Sequence, residues 1–165
     1  MEFAADLGLL EKLEVAGLMP AMDELFGDPH WVVAPCAYRE LNKKKRGAFG
    51  HFAANSARHI ATKMLSKKER KFISGVRKKW PGLSRQEAEA IAVAKAHGLI
   101  YLTSEPIARM LCIETNVRYM TLPMLLKALW AKKIRSRKQI TEVLEELERA
   151  YPIRFSGKES ILGMQ

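Results

Sequence analysis

The sequence predicts an α/β domain, a three-layer α/β/α sandwich around a mainly parallel sheet. Three observations predict it. Short apolar runs of strand length alternate along the chain with segments of helical periodicity. Helix starts follow those runs with almost no linker, marked by S-x-x-E/Q capping boxes or by proline in the first turn. Of the 165 residues, 48% are apolar, which suits one compact core.

The stretch 83–106, LSRQEAEAIAVAKAHGLIYLTSEP, shows the pattern most densely. Ser84 and Glu87 make a capping box. Ala88, Ile91 and Ala92 recur at helical spacing, and Gly98 closes the helix as a C′ residue. Leu99 to Thr103 is a buried-strand run. Glu105-Pro106 then reads as a cap followed by proline in a new first turn. A carboxylate therefore stands where a strand hands over to a helix, and in a parallel sheet that edge binds ligands.

From the N-terminus, Phe3 to Ala5 is a very short strand ending at Asp6. Leu9, Leu10 and Leu13 form a helix closed by Gly17. A second helix starts near Pro20, carries Met22, Leu25 and Phe26 inward and ends at Gly27, where Gly-Asp-Pro signals a turn. Trp31 to Ala34 is the second strand, and Pro35 opens a helix with Glu40 just over one turn in. The stretch Gly47 to Ser56 has little periodicity. Ser66 and Glu69 form a capping box on a helix whose apolar stripe is Phe72, Ile73, Val76 and Trp80. Later, Val117 to Met120 is a further strand, and Thr121 and Pro123 start a helix with Leu125, Leu126, Leu129 and Trp130 inward. Ser136 and Gln139 form a third box, ahead of Ile140, Val143, Leu144 and Leu147. Tyr151 to Phe155 reads as an edge strand. The organisation is one domain over residues 1–155 with a basic helical segment at 41–82, and a C-terminal tail at 156–165.

Charge narrows the partners. The formal net charge is +10, which suits an anionic partner, most simply nucleic acid. Lys43, Lys44, Lys45 and Arg46 run together, and Lys67, Lys68, Lys71 and Lys78 lie mostly off the apolar stripe of their helix. Glu69 is the only acid between Leu41 and Gln86. A solvated helix face explains any one of these lysines, but less readily a whole segment of one sign. The two cysteines, Cys36 and Cys112, are too few for a disulfide framework or a zinc cluster and read as core residues of a reducing, cytoplasmic chain. No signal peptide opens the sequence and no apolar run approaches spanning length.

Four acids are candidates for one site: Asp6, Glu40, Glu87 and Glu105. Carboxylates from separate elements hold hard cations such as Mg²⁺ or Mn²⁺, which in turn assist phosphodiester hydrolysis. Each also has an ordinary structural role. Asp6 can cap its helix, Glu40 can pair with Lys43 or Lys44, Glu87 belongs to a capping box, and Glu105 can meet a helix dipole. Glu87 and Glu89 sit about 200° apart on their helix, which leaves the choice between them open. The four histidines are scattered and make no triad.

The ordered set resembles a PIN domain, the fold of VapC-type toxins, and more narrowly the PIN-like branch with a GEAEAIA-type motif. Asp6-Leu7-Gly8-Leu9-Leu10 with Leu13 resembles the D-x-(G/S/T)-x-L-x-x-L opening. Pro35 to Leu41 resembles P-x-x-x-x-E-L, Glu87 to Ala92 the third motif, and Leu102-Thr103-Ser104-Glu105 the fourth, L-T-x-D. This alignment favours Glu87 over Glu89. Leu7 and Gly8 stand where hydroxyl residues are common, Glu105 replaces aspartate, and Ser104 is not acidic. The resemblance implies a Mg²⁺- or Mn²⁺-dependent ribonuclease for single-stranded RNA, with Asp6, Glu40, Glu87 and Glu105 as metal-binding catalytic acids. It further implies a toxin role with a cognate antitoxin, and a homodimer is an open alternative for its assembly. A catalytically silent module that binds RNA or protein is the second reading. A helix-turn-helix over residues 122–151 ranks low, because Glu142, Glu145, Glu146 and Glu148 crowd its second helix.

Overall fold

The computed structural model describes residues 1–43, 60–155 and 158–161. Its strands are β1 (Glu2–Ala5), β2 (His30–Val33), β3 (Ile60–Thr62), β4 (Ile100–Thr103) and β5 (Tyr119–Thr121). They form one sheet in the order β3-β2-β1-β4-β5, every pairing parallel. The helices are α1 (Leu7–Val15), α2 (Met19–Phe26), α3 (Pro35–Lys43), α4 (Lys67–Lys79), α5 (Arg85–His97), α6 (Pro106–Thr115), α7 (Leu122–Ala131), α8 (Arg137–Ala150) and α9 (Lys158–Ile161).

Successive strand residues point to opposite faces, yet Phe3, Ala4 and Ala5 are all at most 1% exposed. Both faces of β1 are therefore covered, which makes the molecule a three-layer sandwich. Phe3 anchors the core, its ring centroid 4.7 Å from Phe26 and 5.5 Å from Trp31. Helix α5 is buried almost all round, from Ala88 through Ala94. Its alanines have small enough side chains for α3, α4, α6 and β1 all to pack against it. No helix among the described residues is long and apolar enough to cross a membrane.

The local signals for helix ends hold. All three capping boxes form in full, at Ser66–Glu69, Ser84–Glu87 and Ser136–Gln139. Gly27 and Gly98 close α2 and α5 in the left-handed conformation that glycine adopts without strain. Two expectations need correction. Tyr151 to Phe155 is not a strand. Pro152 has no N–H, the Ile153 N–H turns back to the Tyr151 carbonyl at 2.8 Å, and the Phe155 N–H is held by Glu148 Oε1 at 2.9 Å. Those donors bind locally and to α8, so they are not available to a sheet. Strand β5 begins at Tyr119 rather than Val117, because the Val117 N–H closes α6 onto the Cys112 carbonyl at 2.8 Å.

The edge strand β3 is an addition. Only Ile60 of its three residues is half-buried, so it carries no alternation to read. Residues 158–161, in the expected tail, form α9, and Ile161 packs into the core.

The strand order creates a topological switch. From β1 the chain builds outward through β2 and β3, then returns to the other side of β1 to add β4 and β5. The carboxyl ends of β1 and β4 flank that switch, the place where open parallel sheets bind ligands.

Candidate active site

Asp6 follows β1 directly and caps α1, its Oδ1 accepting the Leu9 N–H at 2.6 Å. Its own N–H donates to the Leu102 carbonyl at 3.3 Å, which ties it to the end of β4. The other carboxylate oxygen, Oδ2, is buried and has no hydrogen-bond partner. Burial pushes the Asp6 pKa up. The Leu9 N–H and Lys12 oppose that rise, while Glu105 and Glu87 add to it by repulsion. Gly8 leaves room beside this carboxylate, since a Cβ there would lie 3.2 Å from Asp6 Oδ1.

Glu105 follows β4 and is the N-cap residue of α6, but its side chain makes no capping bond. Its N–H donates to Thr103 Oγ1 at 3.0 Å, and Pro106 begins the helix. The exposed carboxylate accepts only a long 3.3 Å bond from Ser104 Oγ. Lys12 Nζ in turn donates to Ser104 Oγ at 2.9 Å. Glu87 enters from the first turn of α5. One of its oxygens accepts the Ser84 N–H at 2.7 Å, while Ser84 Oγ accepts the Glu87 N–H at 3.2 Å.

Asp6, Glu87 and Glu105 line one cleft of about 460 Å³, walled also by Gly82 and Ile107. Glu40 is placed on α3 by the backbone, and its side chain lies outside the described part of the structure. Three of the four expected acids are thus brought to one cleft at the switch point. Among the described residues, no three His, Cys, Asp or Glu side chains are already gathered as a metal-ligand group. The donor chemistry nevertheless suits a hard cation, because it is all carboxylate oxygen and one oxygen is buried without a partner.

Glu89 has a different role. It is 2% exposed, accepts from Arg85 Nε at 2.7 Å, and takes the Cys36 N–H in the first turn of α3 at 3.0 Å. Burial alone would raise its pKa. The Arg85 guanidinium and the Cys36 N–H more than offset that and hold it below the usual carboxylate range. The nearby Cys36 thiol is pushed up to about 12, by burial first and then by Glu89.

Arg85 and Glu89 open onto a second cleft of about 770 Å³, where Arg39, Arg70, Arg77 and Lys78 also stand. Sequence reasoning picked out Lys78 among the lysines off the apolar stripe of α4, but none of these arginines as a binding residue. Of the lysines it did choose, Lys67, Lys68 and Lys71 are exposed on α4 but do not line this cleft. Lys44, Lys45 and Arg46 lie outside the described residues, and so does the side chain of Lys43.

A family model described as a PIN domain matches residues 3–160. No curated protein and no solved structure matches the chain.

Proposed function

The chain belongs to the PIN domain family, and from that premise we propose that it is a metal-dependent endoribonuclease acting on single-stranded RNA. One observation carries the proposal: Asp6, whose Oδ2 is buried without a hydrogen-bond partner, lines a cleft together with Glu105 and Glu87. An acid so placed is costly to ionise without a cation. PIN domains in general use divalent metal, and Asp6, Glu105 and Glu87 are the residues that would hold Mg²⁺ or Mn²⁺, with Glu40 from α3 as a fourth. When bound, such a cation stabilises charge on phosphoryl oxygens and acidifies a water.

The protein's own groups prepare the cleft. The Leu9 N–H fixes the orientation of Asp6, the Ser84 box holds Glu87, and the Thr103 hydroxyl sets the turn that carries Glu105. Lys12, hydrogen-bonded to Ser104, lines the adjoining cleft that shares Glu105 and Pro106, and its charge acts on Asp6. A toxin role in the cytoplasm under control of an antitoxin, with a homodimer as its assembly, is the physiological setting we propose for this activity.

A second reading is a silent module that binds RNA. It is favoured by the Ser84 N–H, which already occupies one oxygen of Glu87. Labelled single-stranded RNA incubated with Mn²⁺, beside the same protein in EDTA, separates the two. Cleavage that needs Mn²⁺ and is lost in Asp6→Asn supports the enzyme. RNA binding with no cleavage supports the module.

A further inference from the structure

We infer that the cleft between α3, α4 and α5 is a binding track for the phosphate backbone of single-stranded nucleic acid, feeding the acidic cleft across the first turn of α5. The inference rests on the reading of the chain as a protein that handles RNA, and it assigns the surface that holds the strand.

The charge of the cleft comes from tertiary structure. Arg39 comes from α3, Arg70, Arg77 and Lys78 from α4, and Arg85 from α5. Among the described residues, the only acid in the lining is Glu89, which Arg85 and the Cys36 N–H already satisfy. Among the described lining residues, Arg39, Arg70, Arg77 and Lys78 thus face the cleft with no carboxylate but the already paired Glu89. Four of the five cations are arginine, whose planar fork matches a phosphate better than an ammonium does.

Composition favours a single strand. Arg70, Ser74, Arg77 and Lys78 fall on one side of α4, spanning about 12 Å along its axis at ~1.5 Å per residue. Between the cations lie Leu65, Ile73 and Met64, the last 87% exposed. This apolar floor suits the faces of unpaired bases, which a duplex keeps stacked inside.

The two clefts meet at one helical turn. Arg85 and Glu89 line the basic side, while Ser84, Gln86 and Glu87 line the acidic side. A strand crossing the turn covers about one helix diameter, ~10 Å. Phosphates held by Arg77, Lys78 and Arg85 therefore belong to nucleotides flanking the one that reaches Asp6.

The test is fluorescence anisotropy with an unstructured 15-nucleotide RNA in EDTA, where no cleavage interferes, across a salt series. Arg77→Gln with Lys78→Gln should weaken binding about tenfold and flatten the log–log salt slope by about 1.4, or ~0.7 per lost phosphate contact. Arg77→Lys, which keeps charge but loses the fork, should fall between the double variant and wild type. The matched control, Lys127→Gln with Lys132→Gln on exposed positions of α7 and its C-cap, should change affinity less than twofold. Thermal unfolding confirms that each variant is folded. Equal losses in the control would mean net charge alone is at work and would overturn the inference. So would an unchanged slope in the cleft variant, or displacement of RNA from the cleft by a poly-glutamate peptide of higher affinity, which would identify an acidic protein as the occupant. Binding through the cleft without Mn²⁺-dependent cleavage sinks the ribonuclease reading alone. Asp6-dependent cleavage with wild-type binding in the cleft variants sinks this inference alone.

Discussion

The acidic cleft and the basic cleft share a wall, the first turn of α5, and differ in almost everything else. On one side Glu87 joins Asp6 and Glu105 near an unpartnered carboxylate oxygen. On the other, Glu89 is buried, ion-paired and bonded to a helix start. The two glutamates are separated by one residue. Helical geometry turns them to different sides, and the surroundings then decide which carboxylate stays available and which becomes structure. The lesson is that an acid's function depends on what has already satisfied it.

The sharpest way to break this contrast is Asp6→Asn. Asparagine keeps the cap on the Leu9 N–H but loses the charge. We expect Mn²⁺-dependent cleavage to fall about 10²–10³-fold, the scale of losing one preorganised electrostatic group. Stability should not fall with it. The folded-state pKa of Asp6 is raised, so its ionisation opposes folding progressively as pH rises from the unfolded value near ~3.9 toward the higher folded value, and fully above that. The variant should therefore match or exceed wild type in thermal unfolding at pH 7 and lose that advantage below pH ~4. A variant less stable than wild type at pH 7 would contradict the strain assigned to this carboxylate.

Metal loading gives the next largest difference. With Mn²⁺ at about a hundred times its Kd, wild type should gain about 2.7 kcal/mol of unfolding free energy. Asp6→Asn should gain much less, as read by thermal shift against EDTA. Equal shifts would place the cation elsewhere.

The glutamate pair offers a crossed test. Glu89→Gln should cost about 1–3 kcal/mol by removing a charged hydrogen bond to Arg85, while cleavage at a temperature where it is folded changes little. Its pH dependence has the opposite sign to that of Asp6. The lowered pKa of Glu89 contributes stability above its unfolded value near ~4.3 and loses it as pH falls through the folded value. Glu87→Gln should do the reverse, keeping stability because glutamine completes a capping box and lowering cleavage about tenfold. Swapped outcomes would reverse the two assignments. The smallest effect is expected from Gly8→Ala. Its Cβ would crowd Asp6 Oδ1, so cleavage should drop a few-fold, while better helix propensity keeps stability within about 1 kcal/mol of wild type.

Helix boundaries were the most legible part of the sequence, because capping is local chemistry. Ser84 with Glu87 announces α5, and Pro106 announces α6, without reference to any distant residue. The missed strand β3 and the misassigned residues 151–155 have the opposite character. Ile60–Thr62 becomes a strand because β2 offers a free edge, whereas Phe155 is kept out of the sheet by Glu148. The site was legible as far as the strand-to-helix junctions reached, which brought Asp6 and Glu105 together with Glu87. The burial of Glu89 was not, since a 200° separation says nothing of how many neighbours enclose α5. The basic cleft was the least visible. Its cations are drawn from three helices between Arg39 and Arg85, while the run from Lys43 to Arg46 is conspicuous in sequence only because its charges are consecutive.

The central position of β1 also has a consequence for how the molecule comes into being. Residues 2–5 leave the ribosome long before residues 100–103, their partner on one side. At ~5–20 residues per second of synthesis, Asp6 waits on the order of 5–20 s before Glu105 exists to stand beside it. Pairing so distant in sequence is slow even in a complete chain, since the loop-closure entropy must be overcome before the contacts form. A nascent chain therefore carries its first acid long before it has a cleft. If the cleft cuts RNA, a chain that ends before residue 105 lacks one of the acids that line it.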